Sequence, residues 1–342
     1  ADAGGEGRVR FVLTGSALLV ADNGTGFGPE QVRAICGLAR SSKDPRKSVG
    51  YKGLGFKSVG EVTNRPQISS SGVAFEFDEH RVREAVSLIA GDLTTRQRLP
   101  VYAFPFFLDA DRTDDGGLVA RLHQDGFTTV LRLPFRPGVD REHVAAHLVD
   151  NLVPRLLLFL GSMAELELAG SEGDFVASVA RSNLEECQEV LLQHDNEIEH
   201  WLVFRDEIAV DPEVVAPLGD AWSVVEAVHV AVAVPLDAAG RPDASTSHPL
   251  HVYFPTEERT GFPFVVQGDF ALQLDRRQVA SSPETDPYNR MLLDRAAGLI
   301  GRVAEALALR FPGQGCVASV MAQRSSPTGH GETFTELAVE AL

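Results

Sequence analysis

Lysine is nearly missing from this chain: four occur in 342 residues, all between positions 43 and 57, and the other 27 basic residues are arginine. Cysteine is scarce too. Cys36, Cys187 and Cys316 are odd in number, far apart and without Cys-x-x-Cys spacing, which excludes a disulfide framework and fits unpaired thiols in a reducing, cytoplasmic compartment. Long hydrophobic runs are absent. Leu152–Gly161 is interrupted by Pro154 and Arg155, and Val224–Leu236 by Glu226 and His229, so neither reaches the roughly 20 apolar residues of a membrane span. No signal peptide is visible. Positive charge is in deficit: 48 acidic against 31 basic residues leave a net charge of −17, which sets the chain as a whole against nucleic acid and anionic membrane as partners. The histidines lack metal spacing; the i, i+4 pair His143 and His147 has no third ligand nearby.

The lysines that are present share one glycine-rich loop, Lys43-Asp44-Pro45-Arg46-Lys47-Ser48-Val49-Gly50-Tyr51-Lys52-Gly53-Leu54-Gly55-Phe56-Lys57-Ser58. Lysine is a compact, mobile point charge on a long stem, suited to an anion that arrives and leaves. A composition of 44% hydrophobic and 23% charged residues is that of a folded chain, long enough for two domains. It opens on Ala1-Asp2-Ala3-Gly4-Gly5 with a strand-like run at Arg8–Leu13 directly after, and reads as a fragment of something longer.

Val9–Leu13 and Ala17–Ala21 predict a hairpin about Thr14-Gly15-Ser16. Pro29, with Glu30 behind it and Val32, Ile35 and Leu38 on one face, predicts a helix start. Further helices are expected from Phe56 to Val62, over Arg81–Ala90, over His143–Phe159 with a kink at Pro154, and over Leu292–Leu309. Strands are expected at Ala74–Phe77, Phe127–Leu133, Glu165–Leu168, Phe175–Ala180, Glu189–Leu192, Trp201–Phe204, Ala227–Val234, Leu250–Phe254 and Phe264–Phe270, with an extended segment around Val101–Phe107. Gly240–Ser247 reads as an exposed loop, and Arg324–Gly331 as weakly structured.

Two boxes carry chemistry. In Asp22-Asn23-Gly24-Thr25-Gly26 an aspartate ends an apolar strand and alternating glycines follow, which places a carboxylate in a pocket wall and leaves room for a planar ligand. Such a carboxylate accepts from an exocyclic amine. In Gly50-x-x-Gly53-x-Gly55-Phe56-Lys57-Ser58 successive glycines let backbone amides face a phosphate. The second box differs from G-x-x-x-x-G-K-[ST] by the inserted Phe56, but a P-loop follows a buried strand. Here the preceding Ser41–Ser48 is polar, so the context rejects that motif.

The aspartate box precedes the glycine-lysine box by about thirty residues, and Gly126-Phe127-Thr128-Thr129-Val130-Leu131-Arg132-Leu133 follows as a third element. In this order and spacing the chain resembles the Bergerat-fold GHKL superfamily, which includes gyrase, the ninety-kilodalton heat-shock chaperone, histidine kinases and MutL. The resemblance implies ATP and magnesium as cofactors. It makes Asp22 the adenine-reading residue, with Asn23, Gly24 and Gly26 beside it. Ser41, Ser42 and Lys43 fall in the lid, Gly50, Lys52, Gly53, Leu54, Gly55, Phe56 and Lys57 in the phosphate loop, and Thr128, or Thr129 one residue on, at the adenine end. Trp201–Phe204, His251–Thr256 and Gly261–Phe270 through Arg276 narrow this to the chaperone-like branch of sacsin and NO VEIN-type proteins. Leu272–Val279 resembles the loop that brings an arginine to the γ-phosphate, with Arg276 in that catalytic place and Arg277 one step away.

The fold expected is therefore α/β (α+β): a Bergerat-type sandwich over 1–145 lacking its first helix, a chaperone-like middle domain over 150–280, and a helical segment and tail over 281–342. The family's opening helix ends in Asp-Ala, which Asp2-Ala3 matches; the general-base glutamate and magnesium-binding asparagine would lie upstream. The chain alone is then expected to bind ATP with little or no hydrolysis, while the longer parent couples hydrolysis to lid closure and to a client or regulatory protein. A non-hydrolysing nucleotide sensor or scaffold is the alternative. A kinase relative would carry a phosphoacceptor-histidine helix, and a MutL relative a basic DNA-binding face; neither is evident.

Overall fold

Thr14 closes the first hairpin: its hydroxyl accepts from the amides of Ser16 and Ala17 at 3.3 and 3.0 Å. This joins β1 (Gly7–Leu13) and β2 (Ala17–Asp22) in the expected antiparallel pair. The computed structural model describes residues 6–36, 55–90, 99, 101–108, 117–219, 222, 225–273, 277–313 and 315–342. They form a mixed α/β protein of two compact units, the first drawn from the described residues up to Val153 and from Gly161–Ala177, the second from Pro154–Leu160 and from the described residues after Ala177.

The first unit adds β3 (Gln67–Ser70), β4 (Val73–Glu76), β5 (Phe106–Phe107), β6 (Thr129–Pro134) and β7 (Met163–Ala169), in the order β7-β1-β2-β6-β3-β4-β5. β1 and β7 run parallel, whereas β2, β6 and β3 pair antiparallel. Side chains alternate across a strand, so Ala17, Leu19 and Ala21 share one face of β2. Val119 and Leu122 of α3 (Leu118–Gln124) cover it together with Phe127 and Val130. A second cluster of Ile68, Phe75 and Phe77 gathers Phe56, Tyr102 and Phe27 with Val32 and Ile35 of α1 (Pro29–Cys36). Burying one side chain such as Phe77 stabilises by about 2–3 kcal/mol.

Polar groups occupy the middle of this sheet. Gln67 stands opposite both Glu76 and Arg132. It donates to the Glu76 carboxylate at 3.0 Å and accepts from the Arg132 guanidinium at 2.9 Å. Glu76 is 4% exposed and ion-pairs with Arg81 of α2 (Glu79–Ala90) at 3.2 Å and with Arg65 at 3.4 Å. Removing one partner of a buried polar network costs the desolvation of those that remain. Both arginines are partly solvated, so Glu76→Ala is expected to lower stability by about 2–3 kcal/mol, read by urea denaturation. A change under about 0.5 kcal/mol would mean that the network behaves as a surface one.

In the second unit β8 (Phe175–Asn183), β9 (Gln188–His194), β10 (Glu197–Ala209), β11 (Ala227–Leu236), β12 (Pro249–Val252), β13 (Phe254–Arg259) and β14 (Val265–Gly268) follow the order β13-β12-β14-β11-β10-β9-β8. β12 and β14 are parallel, whereas β9 with β10, β10 with β11, β11 with β14 and β12 with β13 pair antiparallel. Between the short helices α5 (Pro212–Val215) and α7 (Cys316–Val320) in sequence, the long helix α6 (Asp286–Arg310) buries Leu292, Ala296, Ile300, Val303 and Leu307 at helical spacing. It packs against β10, β11 and β14, and α8 (His330–Ala341) packs on it in turn.

Several expected boundaries change. The helix expected from Phe56 is a 3-10 turn, Gly55–Glu61. The helix expected to run kinked to Phe159 ends as α4 (Arg141–Asn151), and Pro154–Leu158 is a separate 3-10 turn, because a residue before proline is pushed out of the helical region. Val101–Ala103 is also a 3-10 turn before β5. β3, β13 and the helices α3, α5, α7 and α8 were not expected as elements. No helix among the described residues is long and apolar enough to cross a membrane.

Candidate functional site

Three strand ends meet where β2, β6 and β3 lie side by side, with Asp22 opposite Thr129 and Thr129 opposite Ser70. Asp22 is half-buried at the end of β2, and its Oδ1 accepts from the Gly24 amide at 2.9 Å. The Asp22 carbonyl accepts from the Thr128 amide at 2.8 Å. The chain beyond Gly24 then crosses the end of β3, where the Phe27 amide donates to Ser70 Oγ at 2.9 Å. Ser70 Oγ and Thr129 Oγ1 are 2.8 Å apart and buried.

Gly26 sits at this crossing with φ +81°. A Cβ there would overlap the Ser71 hydroxyl and meet Ser70 Oγ at 2.9 Å and Thr128 Cγ2 at 3.0 Å. Glycine is required twice over, by the left-handed backbone and by the close approach of three side chains. Ser70 and Ser71 are presented by the end of β3 and the turn to β4, where Ser71 and Gly72 have φ of 50° and 81°, as two-residue hairpin loops need; Thr128 is the residue before β6.

The other expected residues divide. Asn23 turns back onto β1: its Oδ1 accepts from the Arg8 amide at 2.6 Å and its Nδ2 donates to the Glu6 carbonyl at 3.0 Å. Its side chain therefore fixes the strand end. Phe56 points into the core, its ring 5.8 Å from that of Phe77 and 5.6 Å from that of Tyr102. It anchors the turn that begins at Gly55 and carries the Lys57 backbone. Thr128 lies beside Gly26, while Thr129 is the buried one. Asp2, Ser41, Ser42, Lys43, Gly50, Lys52, Gly53, Leu54 and Arg276 lie outside the described residues. On either side of Arg276, Leu272 bridges to Val279, the Gln273 amide donates to the Gln278 carbonyl at 3.0 Å, and Arg277 pairs with Glu257 at 3.2 Å.

Sequence reasoning missed Ser70, Ser71 and His123. The run Ser69-Ser70-Ser71-Gly72 was the available signal for a tight turn with hydroxyls on it. His123 holds β3 to the start of β6. Its Nδ1 lies 2.9 Å from the Phe127 carbonyl, which can only accept, so Nδ1 carries the proton and Nε2 accepts from Ser69 Oγ at 2.8 Å.

No family model matches the chain. A crystal structure titled as the N-terminal domain of a DNA repair protein overlaps 91% of this chain and 92% of its own at 10% identity with a TM-score of 0.36, too loose an overlap to define a shared fold. The chain is 26% identical over 302 residues, 86% of its length, to the protein NO VEIN of Arabidopsis thaliana, and it spans 10% of that protein. It is a distant homologue of NO VEIN over most of its own length.

Proposed function

We propose that the first unit is a Bergerat-type GHKL domain that binds ATP with magnesium, and that residues 150–280 act as its chaperone-like middle domain. One observation carries this reading. The glycine-rich turn after the half-buried Asp22 carboxylate forms a floor, held from beneath where Gly26 packs against Ser70, Ser71 and Thr128 with no space for a side chain. A flat ring would lie on the opposite side of that floor, where Asp22 would offer an acceptor to its exocyclic amine. The order of the motifs and the distant kinship with NO VEIN support the same branch.

The phosphates would reach the glycine-lysine loop, with Lys52 and Lys57 supplying charge and Lys43 arriving from the lid. Among the described residues no three His, Cys, Asp or Glu side chains converge, so magnesium would come on the phosphates, as this ion usually does. There it neutralises phosphate charge. Arg276 would add a guanidinium at the γ-phosphate, which stabilises charge on a transferring phosphoryl group. In a longer parent protein, hydrolysis would gate lid closure and engagement of a client or regulatory protein.

Titration with ATP and magnesium, comparing the wild-type chain with Asp22→Asn, tests the pocket. Asparagine retains an oxygen for the Gly24 amide, so the turn survives. The atom facing the adenine amine is then an NH2 donor in place of an acceptor, and affinity is expected to fall about 10–100-fold. Unchanged affinity would remove Asp22 from the site.

A further inference from the structure

A cleft in the second unit, remote in sequence from the nucleotide motifs, is lined by Ser247, His248, Pro249, Thr256, Glu257 and Arg259. The β12–β13 hairpin holds these residues in place. Pro249 pairs with Arg259, and at the turn Tyr253 takes φ +61° while its amide donates to Gln267 Oε1 at 2.6 Å. The Arg259 backbone is tied to Thr328, whose hydroxyl accepts from the Arg259 amide at 3.0 Å and whose amide donates to the Arg259 carbonyl at 2.9 Å.

Side chains two apart on a strand share a face, so Glu257 and Arg259 present opposite charges side by side. The Glu257 carboxylate is 54% exposed and meets Arg277 through one oxygen. Arg259 forms no ion pair with a described carboxylate. Behind them His248 is 6% exposed, its ring 5.7 Å from that of Trp201, and its imidazole makes no hydrogen bond to another described residue. Burial lowers its pKa to about 4, so at neutral pH it is an uncharged ring able to accept one hydrogen bond and donate another. Buried polar groups almost always find partners; here the ring borders the cleft. On β12 itself, His251 Nδ1 is buried without a hydrogen-bond partner among the described residues. Thr256 is already committed, donating to the Leu250 carbonyl at 2.8 Å and accepting from the Glu258 amide at 3.2 Å, and serves as wall.

We propose that this cleft binds a small zwitterion of the amino-acid or dipeptide class, with Arg259 on its carboxylate, Glu257 on its ammonium and His248 hydrogen-bonded to its polar backbone. An anion alone would meet the Glu257 carboxylate, and a cation alone the Arg259 guanidinium; one molecule carrying both charges satisfies the pair. A guanidinium–carboxylate contact is charge-assisted and bidentate in its best geometry.

The test titrates the full chain with glycylglycine, N-acetylglycylglycine and glycylglycinamide, following amide resonances of β12 and β13. Glycylglycine is expected to give saturable shifts in the millimolar range. Each capped form, and glycylglycine with Arg259→Gln or Glu257→Gln, is expected to bind about tenfold more weakly. Both substitutions are at exposed side chains, and an unchanged amide spectrum in the absence of ligand confirms their fold. No saturable shift, equal shifts with the capped forms, or full binding by Arg259→Gln overturns the proposal. ATP binding is measured separately, so either site can fail without the other.

Discussion

Replacing Gly26 with valine is expected to abolish ATP binding and to lower the melting temperature of the first unit by roughly 5–12 °C. The cost has two sources. A left-handed backbone is unfavourable for an L-residue by about 1–2 kcal/mol, and most for a β-branched one. The new methyls would also enter space held by the Ser70 and Ser71 hydroxyls and by Thr128 Cγ2, and such overpacking costs about 1–3 kcal/mol. Relaxation would have to move the β3–β4 turn or the start of β6, and either movement displaces the floor beside Asp22. Gly72→Ala separates the two terms. Gly72 has the same φ of 81°, but a Cβ there meets nothing within 4 Å. Its backbone strain should appear as lost stability with ATP affinity retained. Calorimetric titration and thermal melting of the three proteins read both effects; full ATP binding by Gly26→Val would show that the floor is not where the base lies.

The second unit is expected to lose stability steeply on acidification. His248 and His251 are both buried, and burial, aided for His251 by its neighbour His248, lowers each pKa from 6.5 to about 4. The unfolded chain therefore binds protons below pH about 6.5 that the folded unit refuses until pH about 4, and stability falls as pH falls through that window. With 1.36 kcal/mol for each unit of pKa, the loss approaches about 3 kcal/mol for each imidazole by pH 4.

Two histidines act in the other direction. The carboxylates of Asp269 and Glu258 raise the pKa values of His229 and His330, so their contribution is fully present below pH about 6.5 and is lost as pH rises above it. They are only partly buried, with side-chain exposures of 47% and 19%, and offset only part of the effect. Urea denaturation between pH about 7.5 and 4 checks the sign, and His248→Gln should flatten the slope. A profile flat from pH 6.5 to 4 would mean that the two rings are solvated.

Where a signal was local, the chain alone disclosed it. The Thr14 turn, the strand ending at Asp22 and the helical stripe of α6 all follow from alternation, periodicity and turn chemistry within a few residues. The glycine at 26 was legible as a glycine that makes room, since no other residue type serves there. What it makes room beside was not legible. Ser70, Ser71 and Thr128 reach it only because β6 lies between β2 and β3, an order set by pairing between residues 59 to 117 apart in sequence.

The same reason separates residues that one motif had grouped together. Asn23 and Phe56 belong to the ligand side as letters in a pattern, yet Asn23 bonds back to β1 and Phe56 packs with Phe77 and Tyr102, positions that exist only once the sheet is assembled. β3 escaped notice because Gln67 and the serines after it are polar, and only the Glu76 and Arg132 side chains across the ladder make such a strand tolerable in the interior. By itself the sequence determined an α/β chain with one aspartate-glycine box, one lysine-bearing glycine loop and no means of crossing a membrane by an apolar run. Tertiary structure decided which side chains face the Gly26 floor, which are spent holding strands together, and which histidines are buried enough to stay neutral, because each depends on burial and on partners that are distant along the chain.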